Sequence, residues 1–241
     1  MSHSNPGPQS PIPNIIVPSH LGIILDGNRR WAKANGKRTS TGHRRGADVL
    51  KNLSIELFDK GVNVVSAFVF STENWKRKAS EVDFLMRLFI KLVDSFLSDF
   101  KTRNVKIQII GSRENLNPKV LEAIDRAEQQ TANNTGGTLA LCFNYGGQEE
   151  IVSATKKMIA EGLDPSELDS EKFSDYTYSS DLPDIDLLVR TSGEQRLSGF
   201  MLWRSPYAEL SFVDKNWPDM TMADFDEIFA DYSNRQRRFG C

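Results

Sequence analysis

Short apolar runs alternate along the chain with longer stretches in which apolar residues recur every three or four positions. The short runs predict strands over residues 21–25, 62–70, 105–110, 138–143, 185–189 and 209–212. The longer stretches predict helices near residues 42–60, 80–103, 118–131, 148–160 and 222–237. Apolar strands that alternate with helices are typical of a parallel sheet covered on both faces. We therefore predict a single α/β domain with a mostly parallel central sheet flanked by helices.

The helix predicted near residues 80–103 has a wide apolar face. Ser80 with Asp83 resembles a capping box at its start. Apolar residues then recur at helical spacing, namely Leu85, Leu88, Phe89, Leu92, Val93, Phe96, Leu97 and Phe100. A core helix has this pattern, and so has the wall of a tunnel for an apolar ligand. A core role is the more common one, but periodicity does not separate the two.

Composition adds limits to this picture. Residues 1–18 are rich in Ser, Asn and Pro and lack the segments of a signal peptide, so they predict a disordered leader before a domain over 19–241. The chain has no uninterrupted apolar stretch of roughly 18 residues, so the sequence predicts no membrane-spanning helix. Two cysteines and three histidines form neither a disulfide framework nor a zinc site, which fits a reducing cytoplasm. The net charge of −2 does not indicate a partner nucleic acid.

The first strand ends at a carboxylate that is followed by a glycine and two arginines. The segment reads Asp26-Gly27-Asn28-Arg29-Arg30-Trp31. Ligands of parallel sheets bind at the carboxyl ends of the strands, and a turn through glycine into a helix exposes backbone N–H groups there. Asp26 can hold Mg²⁺, and the arginines can neutralise phosphate charge. The segment predicts a diphosphate site.

Polar residues also follow the second strand. Ser71 and Asn74 can hydrogen-bond a substrate, and Arg77 can bind phosphate. The alternative is an ordinary strand-to-helix loop with a capping serine and a solvated basic pair. For this segment taken alone, the alternative is favoured.

The fifth strand leads into a turn that contains two arginines. Arg190 and Arg196 flank a glycine, and Ser198 follows. Guanidinium groups suit bidentate binding of phosphate oxygens. In the alternative, these arginines face water, but Arg190 directly closes an apolar strand at the edge where ligands bind. The position of Arg190 therefore favours a binding role.

Glu209 and His43 are further candidates. Glu209 begins an apolar strand, where a carboxylate is costly unless it binds a metal or a cation, and the two alternatives are about equal. His43 follows Gly42 at a predicted helix start, beside Arg44 and Arg45. A lone histidine is more often structural, but this position suits phosphate contact. A general base is less favoured, because the neighbouring cations would lower the pKa of His43.

Taken together, these segments resemble the cis-prenyltransferases, or undecaprenyl diphosphate synthase family. The resemblance runs from residue 20 to residue 240 and is carried by motifs in a family-like order and spacing. The motifs are Asp-Gly-Asn-Arg-Arg-Trp at 26–31, Gly-His at 42–43, Phe-Ser-Thr-Glu-Asn-Trp-Lys-Arg at 70–77, Asn-Tyr-Gly-Gly at 144–147, Arg-Thr-Ser-Gly-Glu at 190–194 and Asn-Arg-Gln-Arg-Arg-Phe-Gly at 234–240.

The resemblance implies a homodimer with a hydrophobic tunnel and Mg²⁺-dependent condensation of isopentenyl diphosphate with an allylic diphosphate, such as farnesyl diphosphate. A long cis-polyprenyl product such as undecaprenyl diphosphate, a carrier for cell-wall glycans, is the first expectation. A short, medium or branched head-to-middle product is the alternative. It stays open because two positions depart from the family pattern. Thr39 stands where members often have an arginine, and Gln195 stands where some members have a histidine.

The resemblance also implies roles for single residues. Asp26 and Asn74 are expected to be catalytic, and Asp26 and Glu209 to bind magnesium. Residues 27–30 and His43 would cradle the allylic diphosphate, whereas Arg190, Arg196 and Ser198 would hold isopentenyl diphosphate. The full set of expected substrate-binding residues is Gly27, Asn28, Arg29, Arg30, Trp31, His43, Ser71, Thr72, Glu73, Trp75, Arg77, Arg190, Arg196, Leu197 and Ser198.

Two other functions are less favoured. An aspartyl phosphotransferase needs a second aspartate two residues after the first, where this chain has Asn28. A non-catalytic accessory subunit should have lost Asp26 or the arginines, which this chain keeps. A long polyprenyl product would partition into lipid, so we expect a soluble protein that touches the membrane transiently during product release.

Overall fold

The computed structural model describes residues 15–236. Most of the predicted leader over 1–18, and the end of the chain from residue 237 with Cys241, lie outside the described residues. The strands are β1 (His20–Ile24), β2 (Val64–Ser71), β3 (Lys106–Ile110), β4 (Thr138–Tyr145), β5 (Leu187–Arg190) and β6 (Glu209–Phe212). The helices are α1 (Asn28–Ala34), α2 (Thr39–Asp59), α3 (Ala79–Phe100), α4 (Pro118–Thr131), α5 (Gly147–Glu161), α6 (Ser170–Asp175) and α7 (Met222–Ser233).

The six strands form one sheet in the order β3-β4-β2-β1-β5-β6, and every strand pair is parallel. The predicted single α/β domain is therefore confirmed. All six predicted strands and all five predicted helices are present, with ends that shift by a few residues. The central position of β1, between β2 and β5, places the segment that follows it in the middle of the carboxyl edge.

The sheet is buried on both faces because its strands are apolar on both sides. Successive side chains of a strand point to opposite faces. In β1, Leu21 and Ile23 pack into a large apolar cluster with α2, α3, α4 and α7, whereas Ile24 packs into a smaller cluster on the other face. The continuous apolar runs of the sequence thus reflect a sheet covered by two layers.

Two helix starts differ from the prediction. α2 begins at Thr39 instead of residue 42, so His43 lies in its second turn. α3 begins at Ala79 after Lys78, with no side-chain hydrogen bond at its N-cap. The predicted capping box of Ser80 with Asp83 is wrong, because Ser80 already lies inside the first turn.

Two glycines permit the close packing around the end of β1. Gly27 has φ +102°, and a Cβ there would lie 2.4 Å from Asn216 Oδ1. A Cβ on Gly42 would lie 2.1 Å from the carbonyl oxygen of Asn28, which allows α1 and α2 to pack at backbone distance. This packing brings His43 next to the segment that follows β1.

Candidate active site

The carboxyl edge of the sheet carries a charged cleft of about 480 Å³. Because all strands are parallel, the residues that follow β1, β2 and β5 meet at this edge. Ile24 at the end of β1 pairs with Arg190, the last residue of β5. The cleft is lined by Asp26, Gly27, Asn28, Arg29, Arg30, His43, Arg77, Glu194 and Arg196, together with Leu25. The structure therefore brings together Asp26 and about half of the residues that are expected to bind substrate.

Asp26 is held as an anion in this cleft. Its Oδ1 accepts a hydrogen bond of 2.7 Å from the Gly27 amide, and its Oδ2 accepts one of 2.9 Å from Arg190. Arg30 lies 3.2 Å from the same oxygen. Burial alone would raise the pKa of Asp26, but hydrogen bonds from Arg190 and Gly27 and the charge of Arg30 outweigh it and lower the pKa below its usual value. Asp26 is thus ionised at neutral pH.

Arg190 links Asp26 to the loop that follows β5. Its side chain is only 5% exposed. Besides Asp26, its guanidinium donates to Ser198 Oγ at 2.8 Å and to the carbonyl oxygen of Arg196. The predicted position of Arg190, closing an apolar strand at the ligand edge, is confirmed. One side chain therefore fixes both the carboxylate and the loop.

Glu194 joins two arginines across the cleft, and the sequence analysis gave it no role. It accepts hydrogen bonds from Arg196 and, at 3.2 Å, from Arg30. A hydrogen bond from Arg196 and the positive charge beside it lower the pKa of Glu194. Its only sequence signal was its place between two arginines in the motif over 190–196. In the described structure, Glu194 pairs with two arginines that the sequence predicts to bind phosphate.

His43 lies where the charged cleft meets an apolar cavity. Burial, followed by the charge of Arg77, lowers the pKa of His43 to about 4, although Glu81 acts in the opposite direction. The prediction of a lowered pKa is confirmed, but Arg44 and Arg45 are not the cause: Arg44 lies over the Phe84 ring, and Arg45 donates to the Pro218 carbonyl. Among the described residues, Nε2 of His43 has no hydrogen-bond partner, and Glu81 lies 3.8 Å from it.

The segment after β2 is a capped loop and also lines the apolar cavity, so it has features of both interpretations of its sequence. Ser71 and Asn74 cap the short 3₁₀ turn over Thr72–Lys76, so the capping role of the serine is confirmed. Arg77 is not solvated as in the capping alternative, because it donates to Glu81 at 3.0 Å. Asn74 and Arg77 both line the apolar cavity. The segment is thus a capped turn that also presents polar groups to the cavity.

Trp75 is tied to β4 by a residue that sequence reasoning missed. The Trp75 indole N–H donates to Asn144 Oδ1 at 2.7 Å. Asn144 is buried, has φ +51°, and donates to the carbonyls of Ser112 and Glu114 at 2.9 and 3.0 Å. Its place in the motif over 144–147 was the only sequence signal. Asn144 therefore connects the ends of β3 and β4 to the turn that carries Asn74.

Several expected substrate-binding residues lie elsewhere. The Trp31 indole donates to Asp219 at 2.7 Å and does not line the cleft. Ser71, Thr72, Glu73 and Ser198 line a neighbouring open pocket of about 740 Å³ that borders the start of α5. Leu197 packs partly buried against the smaller apolar cluster. Their roles in binding stay predictions.

Glu209 forms a salt bridge. It pairs with Leu187 at the amino ends of β5 and β6, whereas Asp26 follows the carboxyl end of β1. Arg235 lies 3.0 Å from the Glu209 carboxylate. Of the two alternatives, the structure shows the salt-bridge partner. Within one chain, Glu209 and Asp26 lie at opposite ends of the strands and cannot hold the same metal ion. Metal binding by Glu209 therefore stays a prediction.

The apolar cavity lies between α2, α3 and the sheet, next to the helix for which both a core role and a tunnel wall were left open. Its volume is about 140 Å³. Leu25, Asn28, His43 and Arg77 line both the cavity and the charged cleft, so the two spaces adjoin. The inner walls are apolar and are formed by Leu50, Phe70, Leu85, Phe89, Leu92 and Phe143. The helix over 79–100 is thus both a core element and a cavity wall.

A magnesium ion fits the chemistry of Asp26. The residues that the structure describes contain no group of three or more acidic, histidine or cysteine side chains that could hold a metal. Mg²⁺ commonly binds through one or two carboxylates together with substrate phosphates and water. An ionised, partly exposed carboxylate beside arginines, in a cleft with room for phosphate, meets that requirement.

Comparisons with known proteins agree with this geometry. A family model described as "Putative undecaprenyl diphosphate synthase" matches residues 24–240. The isoprenyl transferase of Listeria monocytogenes is 44% identical over 231 residues, which cover 94% of this chain and 92% of that protein. The isoprenyl transferase of Thermotoga maritima is 45% identical over 227 residues, covering 93% and 97%.

Solved structures show the same fold. Lavandulyl diphosphate synthase from Lavandula x intermedia, in complex with dimethylallyl diphosphate, has a TM-score of 0.90 at 34% identity and covers 93% of this chain and 99% of its own. A probable undecaprenyl diphosphate synthase from Campylobacter jejuni has a TM-score of 0.79 at 31% identity with the same coverage. The family resemblance is thereby confirmed. The chain belongs to the undecaprenyl diphosphate synthase family and is a prenyltransferase.

Proposed function

We propose that this prenyltransferase condenses isopentenyl diphosphate with an allylic diphosphate in the presence of Mg²⁺ and forms a new cis double bond at each addition. The observation that supports this most is the junction of the charged cleft with the apolar cavity, whose shared lining includes His43 and Arg77. An allylic diphosphate has a charged head on an apolar tail. With its head in the cleft and its tail in the cavity, its reactive carbon lies at the junction.

The allylic head would bind beside Asp26. Arg29 and Arg30 supply positive charge, and neutral His43 supplies a hydrogen-bonding ring nitrogen. Asp26 would hold Mg²⁺ together with the diphosphate and water, and the bound ion would stabilise the charge of the departing diphosphate. Because the pKa of Asp26 is lowered, the carboxylate is ready to bind a cation at neutral pH.

Isopentenyl diphosphate would bind to Arg190, Arg196 and Ser198. Arg196 is now neutralised by Glu194, and Arg190 by Asp26. An incoming diphosphate offers the same kind of oxygen ligands with more charge. Binding would therefore exchange Glu194 for phosphate on Arg196, and the two diphosphates would lie on either side of Asp26.

The reaction then needs three changes at the junction. The allylic C–O bond breaks, and both electrons leave with the diphosphate. The isopentenyl double bond supplies the electrons of the new C–C bond. A C–H bond next to the resulting cation then breaks: its electrons form the new double bond, and the departing diphosphate accepts the proton. Asn74 at the cavity wall would orient the reacting groups, and the apolar walls exclude water that would trap the cation.

A second candidate is head-to-middle coupling of two allylic diphosphates. The structural neighbour from Lavandula x intermedia is a lavandulyl diphosphate synthase in complex with dimethylallyl diphosphate, and it superposes with a TM-score of 0.90. Thr39, which begins α2 on the exposed surface beside Arg38, leaves the usual arginine position without a cation. Both facts favour testing dimethylallyl diphosphate as donor and as acceptor.

We also propose that two copies assemble along β6. This strand is an edge of the sheet and pairs only with β5 among the described strands. Leu210 on this strand and Tyr207 just before it are large apolar residues that are 37% and 61% exposed. Unpaired edges that also carry apolar residues are common places for a second chain.

Membrane contact during product release stays a prediction. Every helix in the described part of the chain falls short of the length and apolarity needed to cross a bilayer. Co-sedimentation with phospholipid vesicles, with and without product, would test transient binding.

Incorporation of labelled isopentenyl diphosphate tests the proposed reaction. Purified protein is incubated with an allylic diphosphate, with Mg²⁺ or with excess EDTA. We expect incorporation with Mg²⁺ only. A parallel incubation with dimethylallyl diphosphate alone should give no product if condensation with isopentenyl diphosphate is the main reaction, and a branched product if the second candidate holds. No product from either mixture would contradict both.

A further inference from the structure

The apolar cavity is short for a long isoprenoid chain. Its volume is about 140 Å³. In another protein, a cavity of about 150 Å³ lined by aliphatic and aromatic side chains holds one benzene molecule, which has six carbons. By that measure the cavity holds about one five-carbon isoprenoid unit.

Two stacked rings form part of its inner wall. Phe89 of α3 and Phe143 of β4 stack with ring centroids 3.7 Å apart and an interplanar angle of 18°. Phe70 of β2 adds a third ring, 5.3 Å from Phe143. All three rings are buried, with 1% of each residue exposed. The wall therefore spans the gap between α3 and the sheet.

The space further along α3 is also filled. Leu92 is the last residue of α3 that lines the cavity. Phe96, one turn on, stacks on Phe100 at 4.9 Å, and the Phe58 ring of α2 meets Phe100 edge-on. A chain that grew in this direction would have to displace packed rings, because a close-packed core leaves few voids of that size.

We propose that Phe89 and Phe143 stop chain growth, so that the product carries about two isoprenoid units. This inference rests on the proposed condensation. The cavity holds the first unit, and the junction with the cleft holds the newest one, next to its diphosphate. A further unit has no space until the stacked rings move. The protein is thus a short-chain synthase instead of an undecaprenyl diphosphate synthase.

Product analysis tests the stop. Wild-type protein is incubated with dimethylallyl diphosphate, labelled isopentenyl diphosphate and Mg²⁺, and the dephosphorylated products are separated by chain length. We expect a main product of about ten carbons. Phe143→Ala and Phe89→Ala should each lengthen the main product by at least one isoprenoid unit, and the double variant should lengthen it further.

Two more variants make the result independent of folding. Phe143→Leu retains a large apolar side chain and should lengthen the product less than Phe143→Ala does. Phe225→Ala removes an equally buried ring from α7, which does not line the cavity, and should leave the product unchanged. A wild-type product of about fifty carbons would overturn the proposal that Phe89 and Phe143 limit chain length. It would also be overturned if the Phe89 and Phe143 variants fold and make products of wild-type length. If wild-type protein incorporates no isopentenyl diphosphate, the proposed function itself fails, and the stop with it.

Discussion

At the residue scale, the geometry of the site depends on a side chain that donates hydrogen bonds to several acceptors at once. The Arg190 guanidinium serves Asp26, Ser198 and the Arg196 carbonyl at the same time. A planar group with five N–H donors can do this, whereas a lysine ammonium cannot reach the same acceptors with the same geometry. Arg190 therefore sets the position of Asp26 and of the loop that would bind the second diphosphate.

The first prediction concerns this arginine. Arg190→Lys keeps the charge but removes the shared hydrogen bonds, each worth about 1.5–3 kcal/mol when a charged group is involved. We expect kcat/KM for isopentenyl diphosphate to fall by about 10- to 100-fold. Arg103→Lys, which alters an exposed pair with Asp59, is the matched control and should stay near wild type. Equal kinetics in the two variants would argue against a special role for Arg190.

His43 makes the stability of the fold depend on pH. Its pKa is about 4 in the folded protein, below its value of 6.5 in a model peptide. Between these pH values the unfolded chain binds a proton that the folded chain does not. The contribution of His43 to the free energy of unfolding is therefore complete above about pH 6.5. It decreases by up to about 3 kcal/mol as the pH drops toward 4, and it changes little below that.

Urea unfolding at pH 7 and pH 4.5 measures this effect. His43→Gln removes the titrating group, so the loss of stability between the two pH values should be smaller than in wild type. Burial also lowers the pKa of His20. This residue is present in both proteins and contributes its own part of the pH dependence to each. An unchanged difference in the variant would show that His43 does not titrate as described. Because His43 is neutral from pH 6 to 8 in the free protein, it should give no inflection in kcat/KM over that range.

At the element scale, the site is assembled by links between strand ends. The turn over Thr72–Lys76 follows β2, but Trp75 within it is fixed by Asn144 at the end of β4. Asn144 in turn holds the loop after β3 through the carbonyls of Ser112 and Glu114. These bonds join three neighbouring strand ends, and the turn they fix presents Asn74 to the cavity.

Two tryptophans permit a matched test of this link. Trp75→Phe removes the indole N–H that bonds Asn144, and Trp203→Phe removes the one that bonds Ser174 Oγ, both at 2.7 Å. Each should lower stability by roughly 1 kcal/mol. Only Trp75→Phe should also change kcat, by several-fold, because only Trp75 positions Asn74. A change of kcat in both variants, or in neither, would contradict the positioning role.

Periodicity predicts the long elements and misses the short ones. The strands and the five longer helices carry enough apolar positions to show their period. α1 has seven residues with only Ala32 buried, and α6 has six with none buried, so neither has an apolar face to detect. The helix α1 was expected only because the chain turns through Gly27 after β1, and its bounds were not predicted. Helix starts shift because caps depend on local geometry, as the misplaced box at Ser80 shows.

The site residues divide in a similar way. Asp26, Arg30, Arg77 and Arg190 were predictable because strand ends in a parallel sheet converge. Partners distant in the sequence were not, because pairing leaves no local pattern. Examples are Trp31 with Asp219 and Glu209 with Arg235.

At the scale of the whole molecule, we propose that β6, one of the two edge strands of the described sheet, meets a partner. β6 is four residues long and is covered by no further strand among the described residues. Leu210 on this strand and Tyr207 just before it are exposed. The carboxyl edge of the same sheet binds substrates in our account, so assembly and catalysis use different borders of one layer.

Leu210→Asp tests the assembly. A charge at this edge should disfavour a second copy, and light scattering after size-exclusion chromatography should then report the mass of one chain instead of two. Leu168→Asp, at a side chain that is 45% exposed after a short 3₁₀ turn, is the control and should stay dimeric. A wild-type protein with the mass of one chain would contradict the proposed dimer.

The most direct measurement for the account as a whole is the turnover of Asp26→Ala. Labelled isopentenyl diphosphate is incubated with an allylic diphosphate and Mg²⁺, and folding is checked by circular dichroism and thermal unfolding. Asp226→Ala, which removes a carboxylate paired with Lys60 outside the cleft, is the matched control and should stay active. We expect Asp26→Ala to remain folded and to lose turnover by about three orders of magnitude. Turnover near that of wild type in the folded variant would contradict the assignment of the site.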